Sequence, residues 1–212
     1  LSGLVVFENR GASGFQAREP IPAAGSRIRS VGVLDLDHDG RLDILAIDQE
    51  QDNIIVAWQL ADGSFELGRF APEGLERPVS MLIADLTLNG SDDLLIADSG
   101  LPGGNGGRVL VCLADAAGLS GCEILRRTDQ IARPQHVAVG DFDGDGRYDV
   151  ASVDEGSRDV AIYQQDALNV LESPAQTLAS LQDGARPSSF AVADLDADGD
   201  LDLAVTSPFS NS

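Results

Sequence analysis

The chain has no lysine. All 14 basic residues are arginine, against 35 aspartates and glutamates in 212 residues, and the formal net charge is −21. We give the arginine-only usage no functional meaning and treat it as compositional bias. The acidity does exclude partners, because a surface this negative repels nucleic acid and anionic membrane. No apolar run reaches the ~18 residues of a membrane span, so no direct membrane insertion is expected, and no signal peptide stands at the start. Leu1 is not an initiator methionine, which leads us to expect processing or excision. The chain also lacks a Gly-x-Ser-x-Gly elbow and a His-Glu-x-x-His pair. Neither of its two histidines, His38 and His136, has an obvious catalytic partner. With so many acidic residues a close carboxylate pair is inevitable and would prove little. We expect no enzyme.

What the chain does have is one acidic segment written repeatedly. Asp35-Leu-Asp-His-Asp-Gly-Arg-Leu-Asp43 returns as Asp141-Phe-Asp-Gly-Asp-Gly-Arg-Tyr-Asp149 and as Asp194-Leu-Asp-Ala-Asp-Gly-Asp-Leu-Asp202. A degenerate copy runs Asp85-Leu-Thr-Leu-Asn-Gly-Ser-Asp-Asp93. The first aspartates are spaced by 50, 56 and 53 residues. A period of that size marks a repeat architecture rather than a domain with one metal site.

Four carboxylates within nine residues repel one another unless a cation sits among them, and Ca²⁺ accepts six to eight oxygens in loose geometry. In the three full loops the expected ligands are Asp35, Asp37, Asp39 and Asp43; Asp141, Asp143, Asp145 and Asp149; and Asp194, Asp196, Asp198 and Asp202. Position 7 offers a backbone carbonyl from Arg41, Arg147 or Asp200, and position 6 is a glycine that permits the sharp turn. Mg²⁺ suits this cage less, because it demands a stricter octahedron. The EF-hand reading fails, since its Glu at position 12 is replaced by Ala46, Ser152 or Val205. The second loop, with Asp85, Thr87, Asn89, Ser91 and Asp93, should bind weakly or stay empty. The plain alternative is a set of Asp-Gly turns that hold no metal.

The flanks of the loops are short, β-branched and partly alternating, so each loop joins two strands. A third strand, a turn and a fourth strand follow: Asn53 to Leu60 and Phe65 to Phe70 in the first unit, Arg108 to Leu113 and Cys122 to Arg126 in the second. In the third unit they are Asp159 to Tyr163 and a vaguer stretch near Thr177 to Leu181. Four antiparallel strands per ~50 residues describe a propeller blade. The expected fold is all-β, a β-propeller of about four four-stranded blades in a single domain. Its units are a partial blade 1–26, then 27–76, 77–132 and 133–185, and a partial blade 186–212. Gly3 to Glu8 with the turn Gly11 to Gly14 look like a third strand and its hairpin, while the last unit stops after its second strand. The ends either pair into one composite blade that closes the ring, or the chain is a slice of a larger ring.

These segments resemble the FG-GAP/VCBS repeats of integrin-α-like propellers, most closely in His136-Val-Ala-Val-Gly-Asp-Phe-Asp-Gly-Asp-Gly-Arg-Tyr-Asp-Val-Ala151. The resemblance implies calcium loops between the first and second strands of each blade and, in the parent ring, about seven blades. Three Ca²⁺, each returning +2, would bring −21 to −15.

Cys112 and Cys122 lie symmetrically about a turn near Ala117. They are read either as a disulfide across a hairpin or as two buried thiols. A disulfide fits an extracellular, cell-surface or periplasmic address, where millimolar calcium loads weak loops. Eight residues before each loop stands an arginine: Arg27, Arg77, Arg133 and Arg186. They form either an anion-binding set opposite the calcium loops or partners for Asp48, Asp98 and Asp154. Ser207 replaces that aspartate in the last unit, which leaves Arg186 as the expected free cation. The stretch from Gly100 to Gly107 is too irregular for a nucleotide fingerprint and is read as a flexible loop. Trp58 and Tyr163 are expected to pack between blades. The function expected is a secreted calcium-binding module for adhesion or for binding a protein or glycan. The alternative is the substrate-gripping part of a larger polysaccharide-active enzyme.

Overall fold

The apolar run Gly3-Leu-Val-Val-Phe7 cannot remain in water as an isolated strand, and in the computed structural model it forms one arm of a hairpin. β1 (Gly3–Leu4) pairs with β4 (Ile21–Pro22), and β2 (Phe7–Asn9) with β3 (Phe15–Ala17). The turn between β2 and β3 is closed by the Arg10 amide donating to the Gly14 carbonyl over 2.7 Å. The structure describes residues 3–23, 26–101, 106–115, 118–125, 133–167, 170–171, 176–178 and 186–208.

Three four-stranded antiparallel sheets follow, each in sequence order. The first holds β5 (Ile28–Leu34), β6 (Asp43–Asp48), β7 (Asn53–Gln59) and β8 (Phe65–Phe70). The second holds β9 (Pro78–Ala84), β10 (Asp93–Asp98), β11 (Arg108–Asp115) and β12 (Gly118–Leu125). The third holds β13 (Pro134–Gly140), β14 (Asp149–Asp154), β15 (Asp159–Tyr163) and β16 (Gln176–Leu178). A two-stranded sheet of β17 (Ser189–Ala193) and β18 (Asp202–Thr206) ends the series. The fourth strand of the second unit is longer than its expected Cys122 start, and Arg126 lies outside the described residues. So do Ala179 to Leu181, the centre of the Cys112–Cys122 turn, and residues 102–105 of the glycine-rich insertion.

Alternation along each strand sends apolar side chains to both sheet faces, so the core lies between sheets. Leu45, Ile47 and Ile54 of the first sheet meet Met81, Leu94, Ile96 and Leu110 of the second. Leu95, Ala97 and Val111 on the second sheet's other face meet Val137, Val150 and Tyr163 of the third. Val153 and Ile162 then meet Phe190, Val192 and Leu203. Each large apolar side chain buried this way contributes roughly 1.5–3 kcal/mol. The inner strands of the first two sheets approach so closely that a Cβ on Gly32 would stand 2.6 Å from Ile83 Cδ1. Tyr163 packs in the inter-sheet core as expected. Trp58 packs within its own sheet, over Gly68 of the neighbouring strand.

The N-terminal hairpin is built like the outer half of a blade. Phe7↔Ala17, Glu8↔Gln16 and Asn9↔Phe15 repeat the register Ala57↔Leu67, Trp58↔Glu66 and Gln59↔Phe65 fifty residues on. Leu4 and Ala23 of this segment pack on Ala46 and Ile55 of the first sheet. The composite blade expected from the two ends is not formed among the described residues. The hairpin and β17–β18 are separate sheets, each held by its own neighbour.

Candidate functional site

Each aspartate loop connects the innermost two strands of a sheet, and its turn is tied by its own first carboxylate. Asp35 accepts the amides of Asp39 (3.0 Å) and Gly40 (2.9 Å). Asp85, Asp141 and Asp194 accept from the matching positions at 2.8–3.2 Å. Position 5 then accepts the amide of position 7, at 2.9 Å in Asp39, Asp145 and Asp198 and 2.7 Å in Asn89. Two residues of each loop adopt left-handed backbone. One is the expected glycine, and the other is position 4, where His38, Leu88 and Ala197 have φ of 57°, 56° and 64°. Left-handed backbone costs a side-chain-bearing residue about 1–2 kcal/mol. Nothing in the residue types at position 4 announces it, except Gly144 in the third loop. His38 Nε2 also donates to the Asp115 carbonyl over 3.0 Å, joining the first loop to the second sheet.

The aspartate at position 9 is buried in the first three loops and does structural work there. Asp43 accepts the amides of Leu36 (3.1 Å) and Gln59 (2.8 Å), which joins the loop to the end of the third strand. Asp93 does the same for Leu86, Thr87 and Ala114, and Asp149 for Phe142 and Gln165. Burial pushes the carboxyls of Asp93 and Asp149 above the usual range, against the pull of those amides. The charges of Asp143 and Asp145 add to the rise at Asp149.

Three clusters bring carboxylate oxygens within 4.8 Å of one another: Asp35, Asp37 and Asp39; Asp141, Asp143 and Asp149; Asp194, Asp196 and Asp202. Among the described residues the second loop gathers no such group. The donor set is all carboxylate oxygen, with lone pairs to spare beyond the amide bonds these groups accept, and this fits a hard divalent cation such as Ca²⁺. Arginine at position 7 adds a feature the motif does not announce. Arg41 pairs with Asp39 and its Nε donates to the Gln59 carbonyl (2.8 Å). Arg147 pairs with Asp145 and donates to Gln165 (3.2 Å). The fourth loop has Asp200 there, so it carries five carboxylates and no guanidinium.

At the opposite end of the sheets, β6, β10 and β14 each close on a fully buried aspartate. Asp48, Asp98 and Asp154 accept the backbone amides of Arg27 (3.1 Å), Arg77 (2.7 Å) and Arg133 (2.8 Å). The carbonyl of each arginine accepts the amide of the residue after the aspartate. The arginine–aspartate pairing is therefore made through the main chain. The guanidinium partner of Asp48 is Arg69 (3.2 Å), and that of Asp98 is Arg108 (3.1 Å), its neighbour across the sheet. Ser26, the Arg27 amide, Arg69 and the Glu50 amide outweigh the effect of burial and hold Asp48 below the usual carboxylate range.

Arg186 is not the free cation expected of it. With no aspartate at Ser207 to cap, it lies 3.7 Å from Glu155 of the preceding unit. Among the described residues the side chains of Arg27 and Arg77 make no ion pair, and Arg133 Nε is buried without a hydrogen-bond partner. The surroundings of the first two units are acidic, however. Burial first, and then the charges of Asp98, Glu76, Asp48 and Glu50, push the Asp52 carboxyl up. His136 is half-buried, edge-on against Phe190 with ring centroids 5.3 Å apart, and this burial lowers its pKa, as suits a packing residue.

Cys112 and Cys122 form a disulfide between β11 and β12. No helix among the described residues is long and apolar enough to cross a membrane. A cleft of about 710 Å³ opens between the N-terminal hairpin and β8, lined by Glu8, Arg10, Gln16, Arg18, Phe65 and Leu67 among others.

No curated protein matches the chain. The model of the FG-GAP-like repeat matches residues 35–96 and 129–205, more than half of its length. Those stretches contain all four aspartate loops, and the chain belongs to the FG-GAP-like repeat family.

Proposed function

We propose that the chain is a secreted, calcium-stabilised β-propeller that works as a non-catalytic binding or adhesion module. The three aspartate clusters carry this reading. Each gathers hard oxygen donors on a turn already tied by its own backbone amides, where like charges repel until a cation enters. Asp35, Asp37, Asp39 and Asp43 and their counterparts in the third and fourth loops would hold Ca²⁺, with the second loop weak or empty. A bound ion supplies charge neutralisation. The chain's residues do the rest: position 1 shapes the turn, and position 9 anchors it to the third strand.

The disulfide supports an extracellular, cell-surface or periplasmic address. The partner is a protein or glycan, and the cleft beside β8 offers planar polar groups next to the apolar wall of Phe65 and Leu67, chemistry suited to either. The ring would comprise about four blades if its end halves pair into one, or more if the chain is a slice of a larger ring.

Thermal unfolding in chelator, in excess Ca²⁺ and in excess Mg²⁺ tests the metal reading. A midpoint raised by Ca²⁺ well beyond Mg²⁺ is the result expected. Identical midpoints in all three would reduce the loops to ordinary turns.

A further inference from the structure

The cleft beside β8 differs in charge from the rest of the molecule. It measures about 710 Å³, and its charged lining balances, Glu8 and Glu19 against Arg10 and Arg18, in a chain whose net charge is −21. Its walls are β2 to β4 on one side and the start of β8 on the other, strands that stand in the outer half of their blades. Buried Ile21 closes the floor, and Leu4, its partner across the hairpin, packs with Ala23 on Ala46 and Ile55. The cleft is thus complete within these strands, whatever adjoins the inner edge of β2.

One side chain is fixed across it. Arg18 Nη2 donates to the Gly63 carbonyl, its Nε lies 3.4 Å from Glu8, and its guanidinium carbon sits 5.5 Å from the centre of the Phe65 ring. Glu8 also pairs with Arg10. These contacts hold Glu8, Arg10 and Arg18 as a preorganised set of planar groups, which lowers the ordering cost of binding. Beside them the side chains of Gln16 and Glu19 are exposed and make no hydrogen bond or ion pair among the described residues. Phe65 and Leu67 supply an apolar strip, and Leu67 is 43% exposed.

Planar polar groups next to an apolar strip match a sugar ring, which offers vicinal hydroxyls on its rim and C–H bonds on its face. Charge selects among sugars. The lining carries no net charge to hold an anion, and the acidic protein around it repels one even with three Ca²⁺ bound. A peptide enters such a cleft most readily by strand addition, and the hairpin wall resists this, because Pro20 and Pro22 have no amide to donate. We propose, on the reading of the chain as a binding module, that the cleft between β3 and β8 binds a neutral saccharide. Arg10, Gln16 and Glu19 take its hydroxyls, and Phe65 and Leu67 lie against its C–H face.

NMR titration of the isotope-labelled chain in millimolar Ca²⁺ tests this, with cellohexaose, mannohexaose, hexagalacturonate and an alternating Val-Thr hexapeptide as probes. A neutral hexasaccharide should shift the amides of Gln16 to Arg18 and of Phe65 to Leu67, with an affinity that salt leaves unchanged. Gln16→Ala and Glu19→Ala should each weaken it roughly tenfold, the loss of one hydrogen-bonding partner, while the unfolding midpoint and its response to Ca²⁺ stay as in the parent chain. Glu123→Ala, exposed on β12 of the second sheet, should change nothing. The site is overturned by silence toward both neutral hexasaccharides, by stronger shifts with hexagalacturonate or the hexapeptide, or by saccharide binding that Gln16→Ala and Glu19→Ala leave intact. In each of those cases a midpoint still raised by Ca²⁺ keeps the calcium-stabilised module with another partner. Saccharide binding with a midpoint indifferent to Ca²⁺ would instead strike the calcium reading and keep the cleft.

Discussion

Asn89 Nδ2 donates to the carbonyl oxygen of Ala114 over 2.8 Å, the place where Arg41 Nε meets Gln59 and Arg147 Nε meets Gln165 in two of the full aspartate loops. In those two loops the arginine at position 7 pairs with the carboxylate at position 5 and reaches the third strand. In the second loop, position 7 is Ser91 and the amide at position 5 makes the bond itself. This loop therefore keeps its shape by direct hydrogen bonding, without a third carboxylate.

Calcium titration by calorimetry should accordingly find three equivalents in the parent chain and four after Thr87→Asp with Asn89→Asp. Asn89→Ala should cost about 1 kcal/mol of stability with or without calcium, the worth of one hydrogen bond. A parent chain that binds four equivalents would refute this account of the second loop.

The arginine at position 7 opposes a cation in its loop. Arg41→Met should lower stability in chelator by about 1 kcal/mol through loss of the Gln59 bond. It should also tighten calcium at the first loop, because one fewer positive charge faces the ion. The fourth loop, with five carboxylates and no guanidinium, should load first and lose most affinity when salt is raised. Site-resolved NMR titration would show the order, and a fourth loop that fills last would contradict the electrostatic argument.

Asp52 and Asp48 predict opposite pH dependences at the end of the sheets away from the loops. Asp52 has a folded-state pKa above its unfolded value, so its ionised form disfavours the fold. Its contribution is least favourable above that pKa and recovers as pH falls toward the ordinary 3.8. Asp52→Asn should therefore raise the unfolding midpoint at pH 7 and flatten the gain on mild acidification, and Asn tolerates the φ of 49° found there. Asp48 has the opposite shift. Its stabilisation is full above 3.8 and is lost as pH falls below it, and Asp48→Asn should remove that acid limb. Unchanged pH profiles in both variants would contradict these assignments.

The Cys112–Cys122 bridge closes a short segment with a sequence separation of 10. Replacing both with alanine should cost about 3 kcal/mol by loop-closure entropy. The loss should appear equally with and without calcium, because neither cysteine touches a loop aspartate. A loss seen only in chelator would mean that the bridge and the loops share one stabilising role.

Much of the loop architecture was legible because it is local. Turn, glycine and carboxylates lie within nine residues, and strand alternation flanks them, so hydrogen bonding over short separations suffices to define Asp35 to Asp43 and its copies. In the arginine set the pairing was legible and the atoms that make it were not. Spacing revealed that Arg27, Arg77 and Arg133 recur with Asp48, Asp98 and Asp154, but a main-chain amide and a guanidinium leave the same trace in a sequence. Position 4 was invisible for a related reason: His38, Leu88 and Ala197 take left-handed backbone because the surrounding amide bonds demand it, against their own preference.

By itself the sequence determined the repeat, its four loops and the strands about them, since each rests on contacts between near neighbours along the chain, while the choice between a disulfide and two thiols at Cys112 and Cys122 was settled by the structure. The tertiary structure alone decided what happens between units. It assigned Arg69 and Arg108 as counter-ions of buried aspartates and turned Arg186 toward Glu155. Those outcomes depend on which sheet faces lie against one another, and that is set by packing between segments some fifty residues apart, which no local pattern encodes.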